Sequence, residues 1–265
     1  MKRVRSSNTA EEPAFHGYDD ALFQKVFAAE NKHFWFRARN TLITGLARRA
    51  IAGVGSPNIL EVGCGTGNVL HALCRACSTA RVVGIDFSAE GFQYARARGP
   101  APLVQADASY PPFSIKFDLV GIFDVLEHIP DDNAALESAR GLLRHNGRLL
   151  VTVPANMSLW SYADEAARHC RRYNAVDLSA QLESHGFRIE LISPFMAILY
   201  PALKIWRFVN RNRKKSPVEL FEGDLTVVPV LNEVAQWLTS VEAQWIIAGH
   251  RLPFGTSLVV VARKE

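Results

Sequence analysis

Two periodicities of apolar residues divide the chain. Residues 18–52 carry apolar side chains at helical spacing, such as Leu22, Val26 and Leu42, which predicts two N-terminal helices. From residue 58 onward, short apolar runs alternate with amphipathic stretches. They predict strands over residues 59–62, 81–85, 103–105, 117–122 and 148–153, and helices over residues 68–76, 89–97, 133–143 and 175–185. This alternation predicts a parallel sheet with helices on both faces.

The last third of the chain adds two strands and a long helical stretch. The pattern predicts a strand over residues 187–192, a helical cap over residues 194–250 and a final strand over residues 255–262. We therefore expect an α/β fold with a seven-stranded, mostly parallel sheet and a cap inserted before the last strand. The expected organisation is a flexible tail (1–17) and a single domain (18–265), with N-terminal helices (18–52) and a ligand-binding core (58–193).

Composition narrows the class of protein. The chain has 265 residues, 48% of them hydrophobic, which is typical of a globular protein. A net charge of +4 is too small to indicate a nucleic-acid binder, and four cysteines do not make a disulfide framework. No apolar run resembles a secretory signal, and the run over residues 195–203 is shorter than the roughly 20 residues that span a bilayer. We expect a cytoplasmic protein.

A glycine-rich loop follows the first predicted strand. Gly63, Gly65 and Gly67 stand at alternate positions just before a predicted helix. Glycines allow tight turns and close approach of a ligand to the backbone. A dinucleotide fingerprint needs a glycine where Asn68 stands, so that match fails. Glu61, inside the strand, disfavours a pyrophosphate and suits a ligand that carries an ammonium or a sulfonium group.

Further acidic residues follow the later strands. Asp86 closes the second strand, Asp107 follows the third, and Asp124 and Glu127 follow the fourth. Ligands of doubly wound sheets bind at the carboxyl ends of the strands, where these carboxylates would meet. Such a crevice fits a cationic nucleoside better than a diphosphate.

Together these motifs resemble the class I S-adenosylmethionine (SAM) methyltransferases, most strongly over residues 58–153. The resemblance implies a Rossmann-like fold, SAM as methyl donor and S-adenosylhomocysteine as product. It implies that the three glycines cradle the methionine part, Asp86 binds the ribose, Asp107 binds the adenine amino group, Phe87 packs on the adenine ring, and the backbone around Asp124 holds the ammonium. The full set of expected cofactor residues is Glu61, Gly63, Cys64, Gly65, Gly67, Asp86, Phe87, Asp107, Ala108, Asp124 and Val125.

The segment after the fifth strand carries the candidate chemistry for the acceptor. The cluster from His169 to Tyr173 is similar to a stretch of quinone-biosynthesis-type O-methyltransferases, where a histidine lies near the acceptor. His169 is the first candidate for a general base, because imidazole titrates near neutral pH, and His128 is the second. Either histidine could instead have a structural role. The candidate substrate residues are Trp35, Trp160, Tyr162, Arg171 and Tyr173, for which core packing or a salt bridge is the alternative.

These observations predict a SAM-dependent methyltransferase that acts on a small, apolar or aromatic acceptor, with oxygen as the methylated atom. The alternatives are N- or C-methylation, or a SAM-using cyclase or lyase. No Asn/Asp-Pro-Pro-Tyr/Phe motif follows the fourth strand, which argues against methylation of base amino groups or glutamine. A lone Cys74-x-x-Cys77 does not indicate a metal site, and we expect none. We expect a monomer or homodimer; the apolar stretch over residues 195–208 favours packing over membrane contact.

Overall fold

A seven-stranded sheet forms the centre of the computed structural model, which describes residues 20–198, 200–201, 204–205 and 216–265. The predicted tail, residues 1–17, lies outside these residues. The strands are β1 (Asn58–Val62), β2 (Arg81–Asp86), β3 (Leu103–Gln105), β4 (Phe117–Phe123), β5 (Leu143–Pro154), β6 (Phe187–Phe195) and β7 (Ser257–Lys264). Their spatial order is β3-β2-β1-β4-β5-β7-β6. The predicted seven-stranded sheet is confirmed.

Strand direction changes only at β7. The neighbouring pairs from β3 to β5 are parallel, whereas β7 runs antiparallel to both β5 and β6. The antiparallel register pairs Leu150 with Val261 on one side and Ile192 with Val260 on the other. The last strand therefore needs no parallel crossover, in agreement with the lack of one in the sequence. The order reverses between β1 and β4, so the crevice at the carboxyl ends of these strands is where an α/β sheet binds ligands.

Helices cover both faces of the sheet, as predicted. The described residues form the helices α1 (Asp20–Glu30), α2 (Phe34–Ala50), α3 (Asn68–Ala76), α4 (Phe92–Arg98), α5 (Asp132–Leu142), α6 (Tyr162–Ala166), α7 (Ala175–Ser184), α8 (Pro217–Asp224) and α9 (Pro229–Ile247). The helix predicted from residue 89 begins at Phe92. Its first residues form a turn instead, because Asp86 and Ser88 accept hydrogen bonds from the N–H groups two residues further on.

The alternation of side chains along β5 produces two cores. Leu150 contributes to a core that α2, α3 and α9 cover, and it is fully buried there with Leu42 and Ile246. Its neighbour Leu149 points to the opposite face and packs in a second core beneath α5 and α7. A buried strand that serves two cores has no polar side, and the buried end of β5, residues 149–154, is accordingly apolar except for Thr152.

In the described residues, the predicted cap contains two helices, α8 and α9, which contact different parts of the domain. Helix α9 packs along α2, where a Cβ at Gly45 would stand 2.3 Å from the side chain of Ile247. Asn232 of α9 accepts from the N–H of Phe34 at 2.8 Å and donates to the Lys32 carbonyl at 3.0 Å. Helix α8 packs beside α6. Residues 206–215 of the predicted cap lie outside the described residues, and none of the described helices is long and apolar enough to cross a bilayer.

Candidate active site

The glycine loop, residues 63–67, has a backbone that favours glycine. Gly63, Gly65 and Gly67 have φ of 72°, 47° and 74°, in the left-handed region that disfavours side chains. A Cβ at Gly63 would lie 2.3 Å from Val125, and one at Gly67 would lie 2.7 Å from the Cβ of Ala95. A Cβ at Gly65 would meet only Phe23, at 3.9 Å. Gly63 and Gly67 therefore pack the loop against its neighbours, and Gly65 leaves room beside the backbone.

Asp86 fixes this loop to the end of β2. Its Oδ2 accepts from the N–H of Gly65 at 2.7 Å, and its Oδ1 accepts from the N–H of Ser88 at 3.0 Å. Burial raises the pKa of Asp86, although these backbone donors oppose the shift. Each carboxylate oxygen has a second lone pair, so both can still accept from a ligand hydroxyl. The position suits the expected contact with a ribose.

Glu61 is a buried carboxyl at the edge of the crevice. Only 2% of the residue is exposed, and its Oε2 has no hydrogen-bond partner among the residues described. Burial raises the pKa of Glu61 well above its usual range; Arg39 opposes the shift, while Asp86 and Glu30 add to it. An orphaned buried carboxyl is costly without a partner. A cationic ligand would supply that partner, so the Glu61 carboxyl fits a nucleoside that carries a sulfonium group.

Arg39 lies at the candidate site, although it is not among the site residues expected from the sequence. Its Nη1 donates to Oδ2 of Asp124 at 2.5 Å, and its guanidinium lies 4.8 Å from the ring centre of Trp35. Asp124 itself has a φ of 55° and donates its N–H to the carbonyl of Thr152. A buried guanidinium is well suited to hold a carboxylate. The spacing of Trp35 and Arg39, four residues apart on α2, is the signal that could have identified it.

The residues expected to contact adenine lie at the ends of β2 and β3. Phe87 is 39% exposed, and its carbonyl accepts from the side chain of Gln105 at 3.0 Å. Asp107 accepts from the N–H of Ser109 at 2.7 Å, which shapes the turn that contains Ala108. Strand pairing thus brings these expected adenine contacts to adjacent strand ends. Cys64 belongs to the glycine loop, but its thiol is buried against Gly84 of β2, and this burial raises the pKa of the thiol.

An ion pair ties the N-terminal helices to the glycine loop. Glu30, at the end of α1, accepts from Nη2 of Arg98 at 2.6 Å and from the hydroxyl of Thr66 at 2.7 Å. Burial raises the pKa of Glu30, and Thr66 and Arg98 oppose the shift. The contact joins α1, the loop and the end of α4. The N-terminal helices are therefore anchored beside the glycine loop.

On the acceptor side, His169 is held by a buried acid. Its Nδ1 lies 2.9 Å from Oδ1 of Asp164, a residue with no exposed surface. Arg172 donates to the same carboxylate twice, from Nε at 2.7 Å and from Nη2 at 3.0 Å. Burial raises the pKa of Asp164, but the hydrogen bonds from His169 and Arg172 outweigh it and lower the pKa to about 2. Asp164 is therefore a carboxylate at neutral pH.

The two candidate histidines meet beside Glu127. The rings of His128 and His169 pack edge to face with centres 4.8 Å apart, and Nε2 of His169 lies 4.0 Å from Oε1 of Glu127. Glu127 is fully buried, and neither of its carboxylate oxygens has a hydrogen-bond partner in the described part of the chain. Burial and the Asp124 charge raise its pKa well above the usual range. Ligand atoms of the three residues lie within 4.8 Å of one another, so the expectation of no metal stays a prediction.

The other predicted substrate residues have partners within the protein. Tyr162 donates to Asp224 of α8 at 2.7 Å, which joins the segment after β5 to the cap. Arg171 forms an ion pair with Asp132 at 3.0 Å, and Tyr173, 7% exposed, donates to the same carboxylate at 2.7 Å. These contacts favour the salt-bridge and core alternatives for Arg171 and Tyr173. Trp160 is partly buried, and acceptor contact for this group stays a prediction.

The doubly wound sheet, the glycine loop at its switch point and the carboxylates at its strand ends agree with the resemblance to class I methyltransferases. Residues 27–192 match the family model described as "Methyltransferase domain". The chain belongs to this methyltransferase-domain family.

Relatives extend this assignment. A "Probable S-adenosylmethionine-dependent methyltransferase" of Mycolicibacterium smegmatis is 29% identical over 165 residues, 60% of this chain and 61% of the relative. A ubiquinone biosynthesis O-methyltransferase of Xylella fastidiosa is 33% identical over 158 residues, 51% of this chain and 62% of the relative. The chain thus spans about three-fifths of these curated relatives. A "SAM-dependent methyltransferase, possible histamine N-methyltransferase" of Thermotoga maritima shares the fold, with a TM-score of 0.55 at 14% identity, covering 93% of this chain and 100% of that one.

Proposed function

We propose that this methyltransferase transfers the methyl group of SAM to a hydroxyl oxygen of a small, apolar or aromatic acceptor, with His169 as general base. The observation that carries the proposal is the Asp164–His169 pair beside the end of β4. A hydroxyl is a weak nucleophile until its proton is removed, so an oxygen acceptor gains most from a base. The similarity to ubiquinone biosynthesis O-methyltransferases supports oxygen as the methylated atom.

SAM, when bound, supplies an electrophilic methyl group on a positively charged sulfur. Glu61 would balance that charge, and Asp86 would accept from the ribose hydroxyls. Arg39 and Asp124, which pair with each other in this structure, would hold the carboxylate and the ammonium of the methionine part. Phe87 and Asp107 would contact the adenine. Together these groups orient the methyl group toward the acceptor side of the crevice.

His169 would take the proton of the acceptor hydroxyl on Nε2. The oxygen–carbon bond then forms as the sulfur–carbon bond breaks, and the electron pair stays on sulfur, which becomes a neutral thioether. The proton leaves His169 to solvent. The cap and the segment after β5, joined by Tyr162 and Asp224, would exclude water from this step.

The finer parts of the assignment are also proposals. We place the chain in small-molecule biosynthesis, in the cytoplasm, with no nucleic-acid partner. The mild net charge and the lack of a nucleic-acid motif support the absence of a nucleic-acid partner. We also propose that the protein is a monomer or a homodimer.

The test uses SAM with a deuterated methyl group and a panel of phenols, catechols and primary amines, alongside a metabolite extract. Mass spectrometry follows labelled product, and S-adenosylhomocysteine is measured in parallel. We expect labelled phenol or catechol ethers with matching S-adenosylhomocysteine. Label on amines alone would support N-methylation, and proven SAM binding without S-adenosylhomocysteine would support a cyclase or lyase; either result would overturn the proposal.

A further inference from the structure

We infer that Asp164, held by Arg172, is a positioning residue that fixes His169 with its proton on Nδ1 and leaves Nε2 as the basic nitrogen. The inference deepens the proposed function and rests on it for the role of His169 in catalysis. The geometry itself is independent of which acceptor is methylated.

Five donor groups converge on the Asp164 carboxylate, among them the Ser161 hydroxyl, 3.4 Å from Oδ2. The N–H of Ser161 donates to Oδ2 at 2.8 Å, Arg172 donates to both oxygens, and Nδ1 of His169 faces Oδ1. Because an ionised carboxylate can only accept, the nitrogen of His169 that faces it must carry a proton. The neutral imidazole then has its lone pair on Nε2, the atom 4.0 Å from Glu127. A carboxylate that selects the tautomer of a base is a known catalytic arrangement.

The carboxylate is itself rigidly held, which distinguishes this arrangement from a chance surface contact. Asp164 is the third residue of the α6 capping box, and its main-chain carbonyl accepts from the N–H of His169 at 2.9 Å. Arg172 also donates to the carbonyl of Ala155 at 3.0 Å, at the end of β5. The next residue, Cys170, donates its N–H to the carbonyl of Glu127 at 2.7 Å. His169 is thus fixed from both sides to the strand ends of the crevice.

The Asp164→Asn substitution separates positioning from packing. An amide has one donor nitrogen in place of an oxygen, so one partner of residue 164 must now face a donor. Arginine and a backbone N–H cannot accept a hydrogen bond, whereas the imidazole and the Ser161 hydroxyl can. The hydroxyl lies on the Oδ2 side, where the Ser161 N–H and Nη2 of Arg172 both donate, so we expect the amide nitrogen on the Oδ1 side, facing the imidazole. We expect His169 to move its proton to Nε2, which removes the base. Asp177→Asn is the matched control, because Asp177 lies in the first turn of α7 and contacts Asn174 rather than a histidine.

The first readout needs no acceptor. Long-range ¹H–¹⁵N correlation spectra of the full chain, loaded with S-adenosylhomocysteine, report the tautomer of each neutral imidazole. The signal of His169 is assigned by its loss in His169→Ala. We expect the Nδ1–H form in the wild type and in Asp177→Asn, and the Nε2–H form in Asp164→Asn. A wild-type His169 in the Nε2–H form would overturn the inference without bearing on whether the chain methylates oxygen.

The second readout uses the acceptor found with deuterated SAM. Asp164→Asn should lower kcat at least about 100-fold. The KM of the acceptor and the affinity for S-adenosylhomocysteine should not change. A wild-type kcat would overturn the inference. Loss of S-adenosylhomocysteine binding or of thermal stability would indicate a folding defect in Asp164→Asn. In that case the tautomer of His169 in the wild type tests the inference.

Discussion

The two sides of the crevice are built by different means. On the cofactor side, backbone conformation forms most of the candidate site: three glycines have positive φ, and the Asp86 carboxylate accepts from the N–H of Gly65. On the acceptor side, side chains of the segment after β5 contact one another and the cap, as in the pairs Asp164–His169 and Tyr162–Asp224. The first construction serves one ligand. The second can change with a few side chains, so this side is where specificity for the acceptor is expected to arise.

The largest effect should come from the acceptor side. His169→Ala removes the base, and kcat should fall about 100- to 10,000-fold with SAM affinity unchanged. Initial rates of S-adenosylhomocysteine release and calorimetry of SAM binding measure the two. His185→Ala is the control, because the imidazole of His185 contacts Gln181 and Ser184 of α7, away from the candidate site. A wild-type kcat would show that another group, or none, takes the proton.

The cofactor side should show the opposite pattern. Asp86→Ala removes an acceptor of ribose hydroxyls and the anchor of Gly65, and should weaken SAM binding by roughly 1.5–3 kcal/mol, about 10- to 100-fold. Asp118→Ala is the control, since Asp118 lies at the opposite end of the sheet and binds Asn58 and Arg144. Equal SAM affinity of Asp86→Ala and the wild type, by calorimetry, would remove Asp86 from the ribose site.

A smaller effect should depend on pH. Burial raises the pKa of Glu61, so the free protein holds this group protonated to higher pH than usual. Only the ionised form attracts a sulfonium, so SAM affinity should rise as the pH increases through that pKa. Asp86, whose pKa is also raised, adds to this slope. Glu61→Gln should flatten it, which calorimetry at several pH values would detect. An identical slope in the variant would contradict a role for Glu61 in binding the cation.

The smallest effect should come from the link to the cap. Tyr162→Phe removes one hydrogen bond to Asp224, worth roughly 0.5–1.5 kcal/mol, and should raise the KM of the acceptor several-fold without altering SAM affinity. Tyr110→Phe is the control, because Tyr110 is 82% exposed. Steady-state kinetics with the identified acceptor measure the change. A change in SAM affinity alone would show that Tyr162 affects binding of the cofactor and not of the acceptor.

The same contrast explains what the sequence could and could not predict. The glycines and the acids at the strand ends follow from local order, because each stands directly after an apolar run. Arg39 was missed because its partner, Asp124, lies 85 positions away in the chain. The distance from Tyr162 to Asp224 is also long, 62 positions. Asp164 could have been identified from the sequence, because Ser161 and Asp164 form a capping-box pattern and Asp164 lies five residues before His169.

The most direct test of the central claim is the chemical position of the transferred methyl group. The full chain is incubated with ¹³C-methyl SAM and the acceptor identified with deuterated SAM. The ¹³C chemical shift of the transferred methyl group then distinguishes methyl on oxygen, nitrogen or carbon. We predict a methyl ether, formed by the wild type and nearly lost in His169→Ala. Methyl on nitrogen or carbon, or an ether formed equally fast by the variant, would contradict the account.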